Sequence, residues 1–222
     1  MIALLISCAS TDSSRLLSPN VTAKLCGLKQ NRKKGGIMSN SIIWRMLEDQ
    51  GLEFANLGVR EDGWELSGTA VLMHEGSPSK IEYLVICDSS WSTRSVSVCG
   101  MIGGERFAID LEVDSDQEWR RNGVAQPAVS GCLDVDLGFS PSTNILPIRR
   151  LALDVGEESE VRVAWLQFPS FELKELTQIY RREGDKIYRY ESGGGAFIST
   201  LAVNNVGFVI DYPGLWRAES TT

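Results

Sequence analysis

The sequence predicts a mainly β fold, in which one long antiparallel sheet curves around a single short helix. From Ser41 onward, short runs rich in Val, Ile, Leu, Tyr and Trp alternate with Gly, Asp, Asn and Ser, a pattern typical of strands and turns. Turn sequences such as Glu61-Asp62-Gly63 and Asn122-Gly123 join consecutive runs, which favours a meander of neighbouring strands. One segment away from the ends, between residues 142 and 153, has helical spacing.

Twelve strands are predicted from these runs. In several of them, including residues 176–182, both faces carry aromatic or long amphipathic side chains, so both faces are expected to be partly covered. A strongly curved sheet meets this requirement. The predicted strands are Ile42–Glu48, Leu52–Arg60, Trp64–Met73, Lys80–Cys87, Trp91–Cys99, Glu105–Val113, Ser130–Leu137, Val161–Leu166, Glu172–Arg182, Lys186–Glu191, Ala196–Val203 and Val206–Tyr212. No β-α-β alternation is predicted.

The predicted helix has about two turns, and only packing can stabilise a helix so short. Ser142 or Thr143 is the expected N-cap, Pro147 falls near the limit at which a missing N–H is tolerated, and Arg149 and Arg150 lie in the last turn, where cations are favoured. A lone apolar helix among strands is expected on the concave side of the sheet. Its apolar face is formed by Ile145, Leu146, Ile148, Leu151 and Leu153.

The charge distribution divides the 222 residues into two parts. Residues 1–37 hold one acid and six bases, which gives them a charge of +5. Because the total is −7, residues 38–222 carry −12. We expect residues 1–37 to be a disordered extension upstream of a natural start at Met38, and residues 38–222 to form one domain. The alternative is a lipoprotein leader with a lipid on Cys8, although no base precedes the apolar stretch.

Composition excludes several classes of function. The acidic body argues against a nucleic-acid partner and against a constitutive hold on anionic membranes, and no apolar run reaches the roughly 18–20 residues of a membrane helix. The cysteines lack C-x-x-C spacing, which indicates buried thiols in a reducing, cytoplasmic compartment. With a single histidine, His74, and no phosphate-loop pattern, we predict no metal and no cofactor.

Two aspartates are the main candidates for chemistry. Asp134 and Asp136 lie two apart on a predicted strand and share one face. The favoured interpretation is that they pair with Arg149 and Arg150, because carboxylates facing a partly buried interior need partners. The alternatives are acid-base work, cation coordination or contacts with sugar hydroxyls. Asn144 lies in the same segment and is a further candidate ligand contact.

Aromatic residues in polar or loop contexts suggest a pocket rim. Trp91 and Arg94 occur together in "WSTR", and Tyr212 and Trp216 occur in "YPGLW". Aromatic rings stack on sugars and line lipid grooves, but they also fill β cores.

Five stretches of the body carry a family resemblance: "YLVICDSSWSTRSVSV", "GCLDVDLGFSPSTNILPIRRLAL", "VAWLQFPSFELKELTQIYRR", "YRYES" and "AFISTLAVNNVGFVIDYPGLW". They resemble the glycolipid-binding family, formerly a bacterial domain of unknown function, from about Met38 to Trp216. The resemblance implies a spiral β-roll, with one antiparallel sheet wound around a helix, and a homodimer. The family's shape is similar to that of bacterial lipoprotein carriers, and the family name brings no catalytic residues.

The sequence thus predicts a non-catalytic binding protein for a glycolipid or another amphiphile. The apolar tail is expected in a groove, and the polar or anionic head at Arg149, Arg150 and Arg94. One alternative is a hydrolase-like enzyme that uses Asp134 or Asp136 on a carbohydrate or lipid. Another is a structural protein that associates only with itself.

Overall fold

The computed structural model describes residues 40–221, and within them fifteen strands form one sheet. The strands are β1 Asn40–Met46, β2 Gly51–Arg60, β3 Gly63–His74, β4 Ser77–Asp88, β5 Thr93–Ile102, β6 Glu105–Val113, β7 Trp119–Arg121, β8 Val124–Ala125, β9 Asp134–Leu137, β10 Glu158–Leu166, β11 Leu173–Gly184, β12 Ile187–Ser192, β13 Phe197–Val203, β14 Val209–Tyr212 and β15 Trp216–Thr221. The helix α1 spans Ile145–Leu151, directly after a 3-10 turn, Ser142–Asn144. The predicted mainly β class with a single short helix is confirmed.

The sheet consists of two series of consecutive strands, β1 to β8 and β9 to β15, which are joined where β1 pairs with β15. Its order is β8-β7-β6-β5-β4-β3-β2-β1-β15-β14-β13-β12-β11-β10-β9. Every pair is antiparallel except β9 and β10, which run parallel. The prediction that no β-α-β unit occurs was therefore wrong. The segment containing α1 returns the chain to the starting end of β9, so that β10 can run beside β9 in the same direction.

The sheet wraps around the helical segment, and side chains fill the interior. Contacts reach this segment from distant strands: Tyr83 Oη of β4 lies 2.8 Å from Ser142 Oγ, and Tyr180 Oη of β11 lies 2.9 Å from Asn144 Oδ1. On α1 itself, residues 145–148 are buried. The largest fully buried side chains include Trp44, Trp119, Tyr180, Tyr190 and Phe208.

Threonine side chains cap the outer edge of β9, so the sheet stays open. Thr93 donates its backbone N–H to Leu133 O at 2.8 Å, and its Oγ1 accepts from Val135 N at 3.1 Å. Thr143 Oγ1 accepts from Leu137 N at 3.1 Å. These hydroxyls take the place of a neighbouring strand. The predicted N-cap role of Ser142 or Thr143 was wrong, because no side-chain cap bond starts α1 and the Thr143 hydroxyl serves β9 instead.

Three short strands escaped prediction, namely β7, β8 and β15. The predicted strand Ser130–Leu137 begins only at Asp134, because a 3-10 turn at Pro127–Val129 and Gly131 at φ +80° precede it. The expectations for residues 1–37 and for Cys8 lie outside the described residues. Among residues 40–221, no helix has the length and apolar character that crossing a bilayer requires.

Candidate ligand-binding site

A pocket of about 360 Å³ lies at the C-terminal end of α1, and we call it the α1 pocket. It lies between α1, the β11–β12 hairpin and the β13–β14 turn. Its apolar wall is formed by Ile148, Ala152, Tyr188, Val203 and Gly207, and its polar wall by Arg149, Arg182, Asp185, Lys186, Asn204 and Asn205. Three cations and one carboxylate give the pocket a local charge of +2, in a chain whose total charge is −7. This sign favours an anionic ligand.

Arg149 is the group in the α1 pocket that is best placed to bind an anion. Its guanidinium carbon lies 5.3 Å from the centre of the Trp91 ring, and Trp91 in turn stacks on Trp64 at 4.3 Å. Within residues 40–221, the Arg149 guanidinium makes no hydrogen bond and no ion pair. The cation–π contact holds the guanidinium over the Trp91 ring and leaves its N–H groups available to a ligand.

Gly207 makes room for Arg149. Its φ of +98° lies in the region that favours glycine, and a Cβ there would lie 3.2 Å from both Arg149 Cδ and Ile145 Cγ1. Sequence reasoning did not identify this residue, because Gly207 and Arg149 are far apart in the chain.

Arg182 supplies charge to the pocket while it fixes the pocket wall. Its guanidinium donates to Leu153 O at 2.8 Å, Asp185 O at 2.7 Å and Gly184 O at 3.3 Å, and it lies 5.9 Å from the centre of the Tyr188 ring. The three carbonyls connect the segment after α1 to the β11–β12 hairpin. Arg182 is thus a structural residue whose positive charge still acts on the pocket.

Asp134 forms the predicted salt bridge with Arg150. The side chain of Asp134 is completely buried, and Arg150 is 16% exposed. Arg150 Nη2 lies 2.6 Å from Asp134 Oδ2, and Arg150 Nε lies 3.1 Å and 3.2 Å from the two carboxylate oxygens. Burial raises the pKa of Asp134, and the Arg150 guanidinium acts in the opposite direction. This pair fastens α1 to β9.

Asp136 meets no arginine, so the expected pairing was wrong for this carboxylate. It accepts a 2.5 Å hydrogen bond from Gln178 Nε2. Tyr180 Oη lies 3.1 Å from Gln178 Oε1 and 2.9 Å from Asn144 Oδ1, so a chain of polar groups leads from Asp136 to Asn144. Burial raises the pKa of Asp136 to about 6, although the Gln178 hydrogen bond opposes the shift.

The remaining predicted residues lie outside the α1 pocket. Arg94 pairs with Asp88 at 2.5 Å, next to the turn that carries Trp91. Tyr212 is buried against Tyr190 and Phe197, at 6.1 Å from each ring. Trp216 lines a cavity of about 10 Å³, the space of a single water. Of the nine predicted site residues, Arg149 alone lines the α1 pocket, and Trp91 contacts it through Arg149.

A second buried polar cluster, which the sequence did not indicate, surrounds Glu53. Glu53 Oε1 lies 2.6 Å from Tyr83 Oη and 2.5 Å from Ser140 Oγ, and both hydroxyls also contact Ser142 Oγ, at 2.8 Å and 2.7 Å. Glu53 Oε2 has no hydrogen-bond partner in the described part of the chain. The four residues form a closed ring that joins β2 and β4 to the segment leading into α1.

Comparisons with known proteins agree with this architecture. The model of the family described as "Putative glycolipid-binding" matches residues 41–218. The chain belongs to this family. It is also similar to a DUF1089-family protein from Pseudomonas aeruginosa whose crystal structure is known, with 32% sequence identity and a TM-score of 0.67 over 74% of this chain and 91% of that one. The curated proteins include none that matches. Family membership places the α1 pocket in a fold whose family name refers to glycolipid binding.

Proposed function

We propose that this protein is a non-catalytic binding protein for an amphiphile, a glycolipid or a lipid-like molecule, whose polar head enters the α1 pocket beside Arg149. The observation that carries the proposal is the Arg149 guanidinium, which lies over the Trp91 ring without a hydrogen-bond or ion-pair partner among residues 40–221, in a pocket of net positive charge. The family description supports the amphiphilic nature of the ligand.

The other predicted site residues take supporting roles in this proposal. Arg150 and Arg94 are each held by a carboxylate, so of the three predicted head-group arginines only Arg149 is left for the ligand. Asp134 holds α1 in place through Arg150, and Trp91 orients Arg149. Asn144, Asp136, Tyr212 and Trp216 line the interior and do not contact the ligand.

The enzyme alternative depended on Asp134 and Asp136. Neither residue lines the α1 pocket. Asp134 is completely buried and salt-bridged, and a carboxylate in that position cannot exchange protons with a substrate. We therefore favour binding over hydrolysis.

Removing the Arg149 guanidinium is expected to abolish ligand retention. Protein purified from its native host is examined by native mass spectrometry and lipid extraction, for wild type, Arg149→Ala and Arg181→Ala. Arg181 is a matched control, since it is an exposed arginine on the same wall-forming strand but does not line the pocket. We expect the wild type and Arg181→Ala to carry an amphiphile, and Arg149→Ala to carry at least tenfold less. Equal retention by Arg149→Ala, or a wild type without any amphiphile, would disprove the proposal.

We also propose a reducing, cytoplasmic location. Among the described residues, Cys87 and Cys132 are buried free thiols. Burial raises the pKa of Cys87 to about 12 and that of Cys132 to about 11, so both stay protonated and unreactive at neutral pH.

A specific observation supports self-association as well. Five apolar side chains on the outer face of β1, β2 and β3 are between 36% and 56% exposed, namely Ile43, Leu52, Phe54, Val71 and Met73. Strand register places Ile43 beside Phe54 and Leu52 beside Val71. Contiguous apolar surface of this kind is usually covered by a partner, and we propose that a second copy of the chain covers it.

A charge in the centre of this face is expected to separate the dimer. We expect Phe54→Lys to be a monomer by analytical ultracentrifugation at concentrations where the wild type is a dimer. Val124→Lys changes a more exposed apolar residue on β8 and is expected to stay dimeric. A monomeric wild type, or a dimeric Phe54→Lys, would exclude this face as the interface.

A further inference from the structure

We infer that the α1 pocket takes only the head group of the ligand, that this head group is a sugar or similar polyol bearing one oxyanion, and that the apolar tail stays outside the interior of the sheet. The inference rests on the proposed function and specifies its ligand. Its first basis is that the interior enclosed by the sheet, as far as residues 40–221 show, has no space for an alkyl tail. Its second basis is the chemistry of the pocket wall.

The interior that the sheet encloses is occupied by its own side chains. Large aromatic residues, among them Trp44, Tyr190 and Phe208, are fully buried there. Beside Trp216, the cavity lined by Phe139 and Phe168 measures about 10 Å³, which admits one water and no alkyl chain. A tail in the concave groove, as the sequence predicted, would have to displace this core at high cost.

The α1 pocket matches a small polar molecule. Its volume of about 360 Å³ is at the lower end of the range for small-molecule sites. Six of its eleven lining residues are charged or carry amides, whereas sites for apolar ligands are lined mainly by apolar side chains. The pocket therefore fits a head group and lacks the wall that a tail would need.

The pocket provides for one oxyanion and for hydroxyl groups. Arg149 offers a fork of N–H donors that matches the geometry of a phosphate or carboxylate, and the exposed Lys186 adds a second positive charge on the same wall. Asp185 lines the same pocket, its Oδ1 lies 3.4 Å from Arg182 Nη2, and its exposed carboxylate can still accept hydrogen bonds from sugar hydroxyls. It also repels a second ligand charge. Asn205 can both donate and accept, whereas the side-chain oxygen of Asn204 is already occupied by the N–H groups of Val206 and Phe208.

The first experiment measures head groups alone by isothermal titration calorimetry. Glucose 6-phosphate carries the oxyanion as a phosphate, glucuronate carries it as a carboxylate, and glucose carries none. We expect at least one of the two anions to bind wild type and Arg181→Ala, at least tenfold more tightly than glucose. Arg149→Ala and Lys186→Ala are expected to weaken anion binding, Arg149→Ala by tenfold or more. The stronger of the two anions identifies the source of the oxyanion.

The second experiment tests the position of the tail. Alkyl glucuronides with chains of one, four and eight carbons are titrated below their micelle concentrations, or the corresponding alkyl glucoside 6-phosphates if the phosphate binds better. We expect affinity to change less than threefold across the series, because the chain remains in water. A chain buried by the protein would strengthen binding by about fourfold per methylene.

The outcomes separate the inference from the proposed function. If an amphiphile co-purifies but the head groups alone do not bind, or if affinity rises steeply with chain length, the inference is wrong and the proposed function stands. If glucose binds as well as the anions, the oxyanion part of the inference is wrong. If neither head groups nor amphiphiles bind, both fail.

Discussion

The free energy of unfolding is expected to fall by about 1.4 kcal/mol per pH unit between pH 6 and pH 7, and at about half that slope at pH 8, because the folded protein keeps a proton on Glu53 that the unfolded chain has lost. Glu53 is completely buried. Burial raises its pKa from 4.5 to about 8, although the hydrogen bonds from Ser140 and Tyr83 oppose the shift. The groups that shift this pKa include no cation, so the charge of an ionised Glu53 would not be compensated by any of them.

The sign follows from which state holds the proton. A folded-state pKa above the unfolded value means that the stabilisation is fully present below about pH 4.5 and is lost as the pH rises through about 8. Asp136, with a pKa of about 6, acts in the same direction, but it is already half deprotonated at pH 6 and adds little above pH 7. Cys87 and Cys132 lose protons only at higher pH. Between pH 6 and pH 8, Glu53 therefore supplies most of the change in stability, and above pH 7 it supplies nearly all of it.

The geometry of the ring around Glu53 leads to the same conclusion by counting protons. Four oxygens, from Glu53, Tyr83, Ser140 and Ser142, make four short contacts in a closed ring. The three hydroxyls supply only three protons, so an ionised Glu53 leaves one contact without a hydrogen. A protonated Glu53 supplies the fourth, and each oxygen then donates once and accepts once around the ring.

Urea denaturation at pH 6, 7 and 8 measures this slope, and Glu53→Gln is the matched variant because its side chain is neutral at every pH. We expect the wild type to lose stability across the series, and Glu53→Gln to lose only the small amount that Asp136 contributes between pH 6 and pH 7. Infrared spectroscopy at pH 6 should also show the carbonyl band of a neutral carboxylic acid that Glu53→Gln lacks. A wild type with constant stability, or an equal slope in Glu53→Gln, would contradict a bound proton.

The second large effect is expected at the buried salt bridge of α1. Arg150→Ala should destabilise the protein by about 3–5 kcal/mol, because it leaves the charge of Asp134 buried without a partner. Arg217→Ala is the control, since Arg217 pairs with Asp211 while 62% exposed, and its loss should cost less than about 1 kcal/mol. The measurement is chemical denaturation of both variants at pH 7.

A double mutant tests whether the loss of stability in Arg150→Ala comes from the Asp134–Arg150 salt bridge. When Asp134→Asn is combined with Arg150→Ala, the uncompensated charge disappears, so we expect the double variant to be more stable than Arg150→Ala alone. If Arg150→Ala is no more costly than Arg217→Ala, or if Asp134→Asn gives no recovery, the salt bridge does not hold α1 to β9 in the way the geometry indicates.

The sequence was informative where the signal is local. The position of α1 could be predicted because apolar spacing of three and four residues is conspicuous among alternating strands. The Asp134–Arg150 pair was accessible for the same reason, since both partners belong to the same short region. The parallel pairing of β9 with β10 was not, because it depends on the path of the chain around α1.

Alternation misleads at β2. In the run Leu52-Glu53-Phe54, a period of two would normally turn the apolar residues inward and the carboxylate outward. The structure does the opposite, since Glu53 is buried and Leu52 and Phe54 are exposed. Glu53 is buried because it contacts Ser140 on the segment leading into α1 and Tyr83 on β4. These residues are distant in sequence, so the local pattern around Glu53 does not predict the contacts. The α1 pocket was missed for a similar reason, because Arg149, Lys186 and Gly207 meet only through strand pairing.

The pairing of β1 with β15 changes how the order of the chain can be understood. Counted from the edge at β9, the sheet runs from β9 to β15 and then from β1 to β8. A circularly permuted chain that began at β9, with its former ends joined beside the paired β1 and β15, would place every strand next to its neighbour in sequence. In strand order the sheet is therefore one continuous series of sequence neighbours, antiparallel except at β9 and β10, and β1 lies in the middle of it. In the natural order, the pairing of β1 with β15 is the one strand pairing within residues 40–221 that joins segments from opposite ends of that range, so it closes the longest loop of chain.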